Sequence, residues 1–130
     1  SESNENGMNT LLESMTEVKD YNLLVTLTEA ESMDEAKLYG DALSGKIKSG
    51  IAVLFFKGEK KPGAVVVVSS DLNKKSLKAG DLAKTIGGFM GGGGGGKPSL
   101  ATAGGRDKNL VKGAMSQTEA LLKKLLEETN

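Results

Sequence analysis

Apolar residues recur along this chain in two rhythms, and the switching between them predicts the order of its elements. Met8, Leu11, Leu12, Met15 and Val18 fall at helical spacing, which predicts a helix over 8–20. From Tyr21 to Thr28 the period shortens. Leu23, Val25 and Leu27 alternate with Asn22, Thr26 and Thr28, a strand pattern interrupted by Leu24. Ser32-Met33-Asp34-Glu35 has the form of a capping box and opens a helix with Met33, Ala36, Leu43 and Ile47 on one face. Gly40 and Gly45 each weaken that helix by roughly 1 kcal/mol relative to Ala. They are expected either to allow close packing on a sheet or to mark the helix end.

Two continuous apolar runs follow, Ile51 to Phe56 and Ala64 to Val68. Each is too short for a typical helix and rich in β-formers, which predicts strands buried on both faces. The polar segment Lys57 to Gly63 joins them as an antiparallel hairpin, with a loop longer than the tightest turns. Ser69 to Lys75 reads as a polar connection. Leu77, Ala79, Leu82, Ala83 and Ile86 predict a helix of about three turns, stopped by Gly87-Gly88. A run of glycines from Gly91 to Gly96 leads through Lys97-Pro98 to a short strand at Leu100 to Ala103. Gly104-Gly105 turns the chain, and Asp107 is a good cap for a last helix bearing Leu110, Val111, Ala114, Met115, Leu121, Leu122, Leu125 and Leu126. The fold class is therefore α/β (α+β), a small mixed sheet with flanking helices. A glycine-rich loop is expected before the last strand and the C-terminal helix. Residues 1–20 are expected to form a tail and the end of a preceding helical segment, and 21–130 the globular domain.

Composition narrows the chemistry. The 130 residues include no His and no Cys. Disulfides, thiolate zinc sites, Ser-His-Asp triads, Cys-His dyads and two-His metal sites are all excluded. Lys plus Arg is 17 and Asp plus Glu is 17, so the net charge is zero. That argues against a strong autonomous nucleic-acid binder, which usually reads basic, and leaves room for a local basic patch. No apolar run reaches about 18 residues, the length that marks a membrane span. The polar, acidic start from Ser1 to Gly7 is unlike a signal or transit peptide. It opens on Ser rather than Met, as expected of a piece of a longer protein.

The unusual chemical feature is the glycine run, Gly91, Gly92, Gly93, Gly94, Gly95 and Gly96, followed by Lys97. A nucleotide P-loop needs Ser or Thr directly after the Lys, and it follows a strand and opens a helix. Here Pro98 takes that place and the run follows a helical pattern. A flexible linker is the plainest alternative. Lys-Pro and an apolar stretch packed directly against the run argue against one. The third reading is a backbone-donor loop, in which residues without Cβ bring main-chain N–H groups close to an anion. Lys97 would add a charge. Arg106 and Lys108 sit near the start of the last helix, and Lys84 lies near the other entrance. Phe89 and Tyr21 are the nearest aromatics for base stacking, and each reads first as a core residue. The leucines of the last helix likewise read first as a core face, and second as a dimerisation surface.

These segments carry a resemblance. Leu77 to Leu82, the glycine run with Lys97-Pro98, and Leu100-Ala101-Thr102-Ala103-Gly104-Gly105-Arg106-Asp107 resemble the C-terminal globular domain of alanyl-tRNA synthetases, within the wider DHHA1 family. The resemblance covers about Tyr21 to Glu128. The family pattern often has Asp after the Pro and Gln between the two Ala residues, where this chain has Ser99 and Thr102. The same family caps DHH phosphoesterases, which typically carry His directly after the glycines. Lys97 in that place favours the synthetase branch. The resemblance implies an accessory domain without a catalytic site, contacting the elbow of an alanine-specific tRNA. It would help the aminoacylation and editing domains of a cytoplasmic alanine–tRNA ligase act on one bound tRNA. It also implies other synthetase domains as partners, a homodimer in some members, and no cofactor here, with ATP and zinc confined to other domains. The site it implies is the glycine run with Lys84, Lys97, Arg106 and Lys108.

Overall fold

The computed structural model describes residues 10–130. Six strands form one mixed sheet: β1 (Thr16–Val18), β2 (Tyr21–Leu27), β3 (Gly50–Phe56), β4 (Gly63–Val68), β5 (Gly93–Gly96) and β6 (Leu100–Gly104). Their order across the sheet is β1-β2-β3-β4-β6-β5. Helices α1 (Met33–Ser44), α2 (Ser70–Lys74), α3 (Ala79–Phe89) and α4 (Val111–Glu127) pack around it. Only β2 and β3 are parallel, and α1 makes the crossover between them. The other pairings are antiparallel. Among the described residues no helix is long and apolar enough to cross a membrane. The mixed sheet with flanking helices is the expected fold class.

The two apolar runs form the centre of the sheet. Every residue of β3 and β4 is buried, with Val53 opposite Val66 and Phe55 opposite Ala64. Alternate side chains feed two cores. Ile51, Val53, Phe55, Ala64 and Val66 join α3 and α4 on one face, whereas Ala52, Leu54, Phe56, Val65 and Val67 join α1 on the other. Helices cover both faces, so neither face of the central strands alternates with polar residues.

Helix α1 begins as its sequence predicts. The Ser32 Oγ accepts from the Glu35 N–H at 3.2 Å, while the Glu35 carboxylate reaches back to the N–H of Glu31 rather than Ser32. Gly40 lets the helix lie on β4, since a Cβ there would stand 2.6 Å from Val65 Cγ1. Gly45 caps its end.

Three expectations are corrected. The helix predicted over 8–20 is helical at 10–13 only; Met8 lies outside the described residues. Thr16–Val18 is instead a strand, folded onto β2 by a turn at Lys19-Asp20 in which Lys19 takes φ 58. A left-handed residue cannot continue a helix. The apolar stripe that mimicked one helical face is divided between layers: Leu11, Leu12 and Met15 pack with α1, and Val18 packs on the opposite face. The polar connection after β4 contains the short helix α2, anchored by buried Leu72. Gly87-Gly88 do not stop α3, which runs to Phe89 and buries Gly87. The leucine stripe of α4 is a core face, with Leu122 and Leu126 buried and Leu125 packed against the same core.

Candidate nucleic-acid interface

The glycine run is mostly an edge strand rather than a loop. Gly93 to Gly96 pair with Gly104 to Ala101 at the open side of the sheet. Glycine is normally unfavourable inside a strand, because it has no side chain to pack. Here the backbone of α3 takes the place of side chains. A Cβ at Gly87 would lie 2.2 Å from the Gly93 carbonyl oxygen, and one at Gly80 would lie 2.7 Å from that of Gly96. From the strand side, a Cβ at Gly94 would meet the Ala83 carbonyl oxygen at 2.4 Å. Helix and strand touch main chain to main chain, which only glycine permits. At the start of the run Gly91 has φ 80, where glycine has no steric penalty.

Packing does not account for every glycine. Cβ atoms at Gly93, Gly95 and Gly104 would meet nothing within 4 Å. These positions share the sheet face on which α1 lies, since Gly93 pairs with Gly104 and Gly95 with Thr102. Helix α1 packs on β3, β4 and β6, so the β5 end of that face is a bare floor. Beside it lies a trough of about 480 Å³, with Lys37, Asp41 and Ser44 of α1 along one wall and Gly95, Lys97 and Thr102 opposite.

The outer edge of β5 is also free. Lys97 N–H donates to Leu100 O at 3.1 Å, which fixes the alternation of the ladder. In an antiparallel pair the bonding groups face the partner at every second residue. The backbone groups of Gly94 and Gly96 therefore point outward, and both residues are exposed. Exposed backbone N–H groups on an edge are ready donors.

The cations named from the sequence do not form one cluster. Lys97 is exposed at the C-terminal end of β5. Arg106 is at the opposite end, held by its N–H to Met90 O at 3.0 Å and lying beside Gly91. Lys84 is exposed on α3, four residues after Gly80 and three before Gly87, so it shares the helix face that borders β5. Lys108 is turned away, its Nζ donating to the Glu59 carbonyl at 2.6 Å in the β3–β4 loop. Among the described residues the one ion pair within 4 Å is Lys123 with Glu119. Lys84, Lys97 and Arg106 thus carry uncommitted charge along a strand edge. Asp107 does cap the last helical segment, accepting from Asn109 N–H at 2.9 Å. Tyr21 is buried and Phe89 packs against the core, so neither offers a stacking face.

The trough wall of Lys37, Asp41 and Ser44 escaped sequence reasoning. Their spacing of four and three puts them on one exposed side of α1, but only the sheet order brings that side to β5. A second polar group lies at the Lys97 end of the sheet. The Asp71 carboxylate accepts from the Ser49 and Ser69 hydroxyls, and Ser69 Oγ also accepts from Gly50 N–H at 2.9 Å. Burial pushes the Asp71 carboxyl up, but these hydroxyls and the backbone N–H of Leu72 outweigh it and hold it below the usual value.

The chain has relatives among known proteins. The chain is 38% identical over 108 residues to the alanine–tRNA ligase of Pelotomaculum thermopropionicum, covering 83% of this chain and 12% of the relative. It is 38% identical over 117 residues to that of Nostoc punctiforme, covering 89% and 13%. The chain thus spans about an eighth of the length of these curated relatives. The C-Ala domain of Aquifex aeolicus alanyl-tRNA synthetase superposes with a TM-score of 0.73 at 25% identity, covering 87% of this chain and 97% of that one. An exopolyphosphatase-related protein from Bacteroides fragilis shares the fold, with a TM-score of 0.56 at 20% identity over 98% of this chain and 37% of its own. Residues 20–128 match the DHHA1 domain, and the chain belongs to that family.

Proposed function

We propose that this chain is an accessory domain of an alanine–tRNA ligase that grips tRNA by its sugar–phosphate backbone at the elbow. The carrying observation is the bare edge of β5, whose outward backbone groups at Gly94 and Gly96 lie between unpaired Lys97 and Arg106, with Lys84 alongside. A four-residue strand is about 13 Å long, enough to span more than one phosphate of a nucleic-acid strand. Contacts of this kind position a nucleic acid without reading its sequence. In the whole enzyme such a grip would let aminoacylation and editing domains act on one bound tRNA. With a net charge of zero, the domain on its own would bind weakly and gain from linkage to other tRNA-binding domains.

Gel shift or filter binding of tRNA to this chain tests the reading. Binding should weaken as salt rises, and Lys97→Ala and Arg106→Ala should each lower affinity. Salt-independent binding, or none even when the chain is joined to the rest of a synthetase, overturns it. Preference for short single strands or dinucleotides over folded tRNA would select a substrate-holding role in a DHH phosphoesterase instead. The fold shared with the Bacteroides protein makes that the reading to exclude.

A further inference from the structure

The β5–β6 turn gathers charge from distant parts of the chain. Asn73 Nδ2 donates to both Leu77 O and Pro98 O, each at 2.9 Å. Ala79 N–H donates to the same Pro98 carbonyl at 2.8 Å. Lys74 follows Asn73, Lys78 precedes Ala79 and Lys97 precedes Pro98. Each lysine is therefore one residue from a group fixed at the Pro98 carbonyl. The connection between α2 and α3 is itself tightly set. Leu77 N–H donates to Leu72 O at 3.0 Å, and Ser76 holds φ 74, a left-handed conformation unusual for a residue with a side chain.

All three lysines are exposed, and none has a carboxylate within ion-pair distance among the described residues. The acidic residues nearest in the fold, Asp71, Asp81 and Asp41, make no ion pair with them. Asp71 is turned toward the Ser49 and Ser69 hydroxyls, and Asp41 lines the trough opposite Lys97. The β3–β4 hairpin end differs. Its Lys57, Lys60 and Lys61 share two hollows with Glu29, Glu31 and Glu59 and lie at the other end of the sheet from Lys97.

We propose that a bound nucleic-acid strand continues past Lys97 onto a second phosphate-binding site formed by Lys74 and Lys78, away from the β3–β4 hairpin. This rests on the reading of β5 as a tRNA grip and gives that grip a direction. Exposed lysines without ion-pair partners among the described residues, beside a turn fixed by main-chain contacts, suit phosphates as point charges.

The test is a salt series of tRNA binding to the whole 130-residue chain, comparing five proteins, Lys97→Ala among them. Relative to the unsubstituted chain, Lys74→Ala/Lys78→Ala should lose about three- to tenfold in affinity at low salt, and its log–log salt slope should flatten by about two. Lys74→Arg/Lys78→Arg should retain both. Lys57→Ala/Lys60→Ala/Lys61→Ala, which removes more charge, should stay near the unsubstituted chain. If the Lys74/Lys78 alanine variant binds like the unsubstituted chain while Lys97→Ala weakens binding, the second site is wrong and the β5 grip stands. An equal or larger loss in the hairpin variant overturns the direction. Absence of salt-dependent binding in the unsubstituted chain, also when it is joined to the rest of a synthetase, removes the grip and the second site together.

Discussion

Strands β3 and β5 belong to one sheet and are built in opposite ways. All seven residues of β3 are buried, and six of them send a side chain into one of the two cores. Full burial of one large apolar side chain stabilises by roughly 1.5–3 kcal/mol, so β3 and its partner β4 hold the domain together. The four residues of β5 have no side chains, and at Gly94 backbone of α3 lies where a side chain would be. The difference separates stability from access. The centre of the sheet is sealed by side chains, and the edge is left as open main chain. Within the edge, Gly94 is fixed by the α3 backbone and Gly96 by its φ of 147 and by Ala101 of β6, while Gly93 and Gly95 face open space.

The largest effect should come from breaking the sealed centre. Phe55 is fully buried between β3 and the α3–α4 layer, so Phe55→Ala should destabilise by roughly 3–5 kcal/mol. A denaturant midpoint that falls with little change in slope would show this. The edge should respond to the opposite kind of change, an added group. In Gly87→Ala a methyl must fit where the Gly93 carbonyl stands 2.2 Å away, which should cost about 1–3 kcal/mol by forcing α3 off β5. Amide exchange at Gly93 and Gly95, whose N–H groups face β6, should quicken with it. Unchanged stability would mean that helix and strand do not meet main chain to main chain.

The same contrast explains what the sequence made legible. The runs at Ile51 to Phe56 and Ala64 to Val68 announced buried strands because side chains carry the signal. Asp107 and Ser32 announced their helix starts because capping needs particular side chains. Polyglycine has no periodicity, so the strand at Gly93 to Gly96 had no signature, and neither did the continuation of α3 through Gly87-Gly88. Both are settled by partners elsewhere in the chain. Strand β1 was hidden for another reason: Leu11, Leu12, Met15 and Val18 keep a helical period while serving two different layers. Of the candidate site, the cations were legible and their separation along β5 was not. That separation depends on which end of the strand each neighbouring loop joins.

A smaller effect should come from the polar clamp at the Lys97 end. Hydroxyl and backbone donors hold the Asp71 carboxyl below its usual value, so its folded pKa is lower than its unfolded one. Its contribution is then present above the unfolded pKa and is lost as pH falls through the folded value, in the range below about pH 4. Asp71→Asn should be less stable than the unsubstituted chain at neutral pH, and the gap should narrow in acid. Urea unfolding of both proteins at pH 7 and pH 3 measures it. A gap independent of pH would assign the clamp to neutral hydrogen bonding alone.

The smallest effect on stability, and the sharpest on the comparison, belongs to Gly95. Its Cβ would meet nothing within 4 Å, and its φ is not in the left-handed region. Replacing it by Ala reduces the freedom of the unfolded chain and should change stability by less than about 1 kcal/mol, in the stabilising direction. Gly94→Ala is the paired control, since its methyl would collide with the Ala83 carbonyl oxygen at 2.4 Å. If bare main chain on the trough side is part of the tRNA grip, Gly95→Ala should weaken tRNA binding while its thermal midpoint stays level or rises. Gly94→Ala should lose stability first. Intact tRNA affinity in Gly95→Ala would confine the contact to the outer edge, where Gly94 and Gly96 present their backbone groups. The glycines facing the trough would then have no part in the grip.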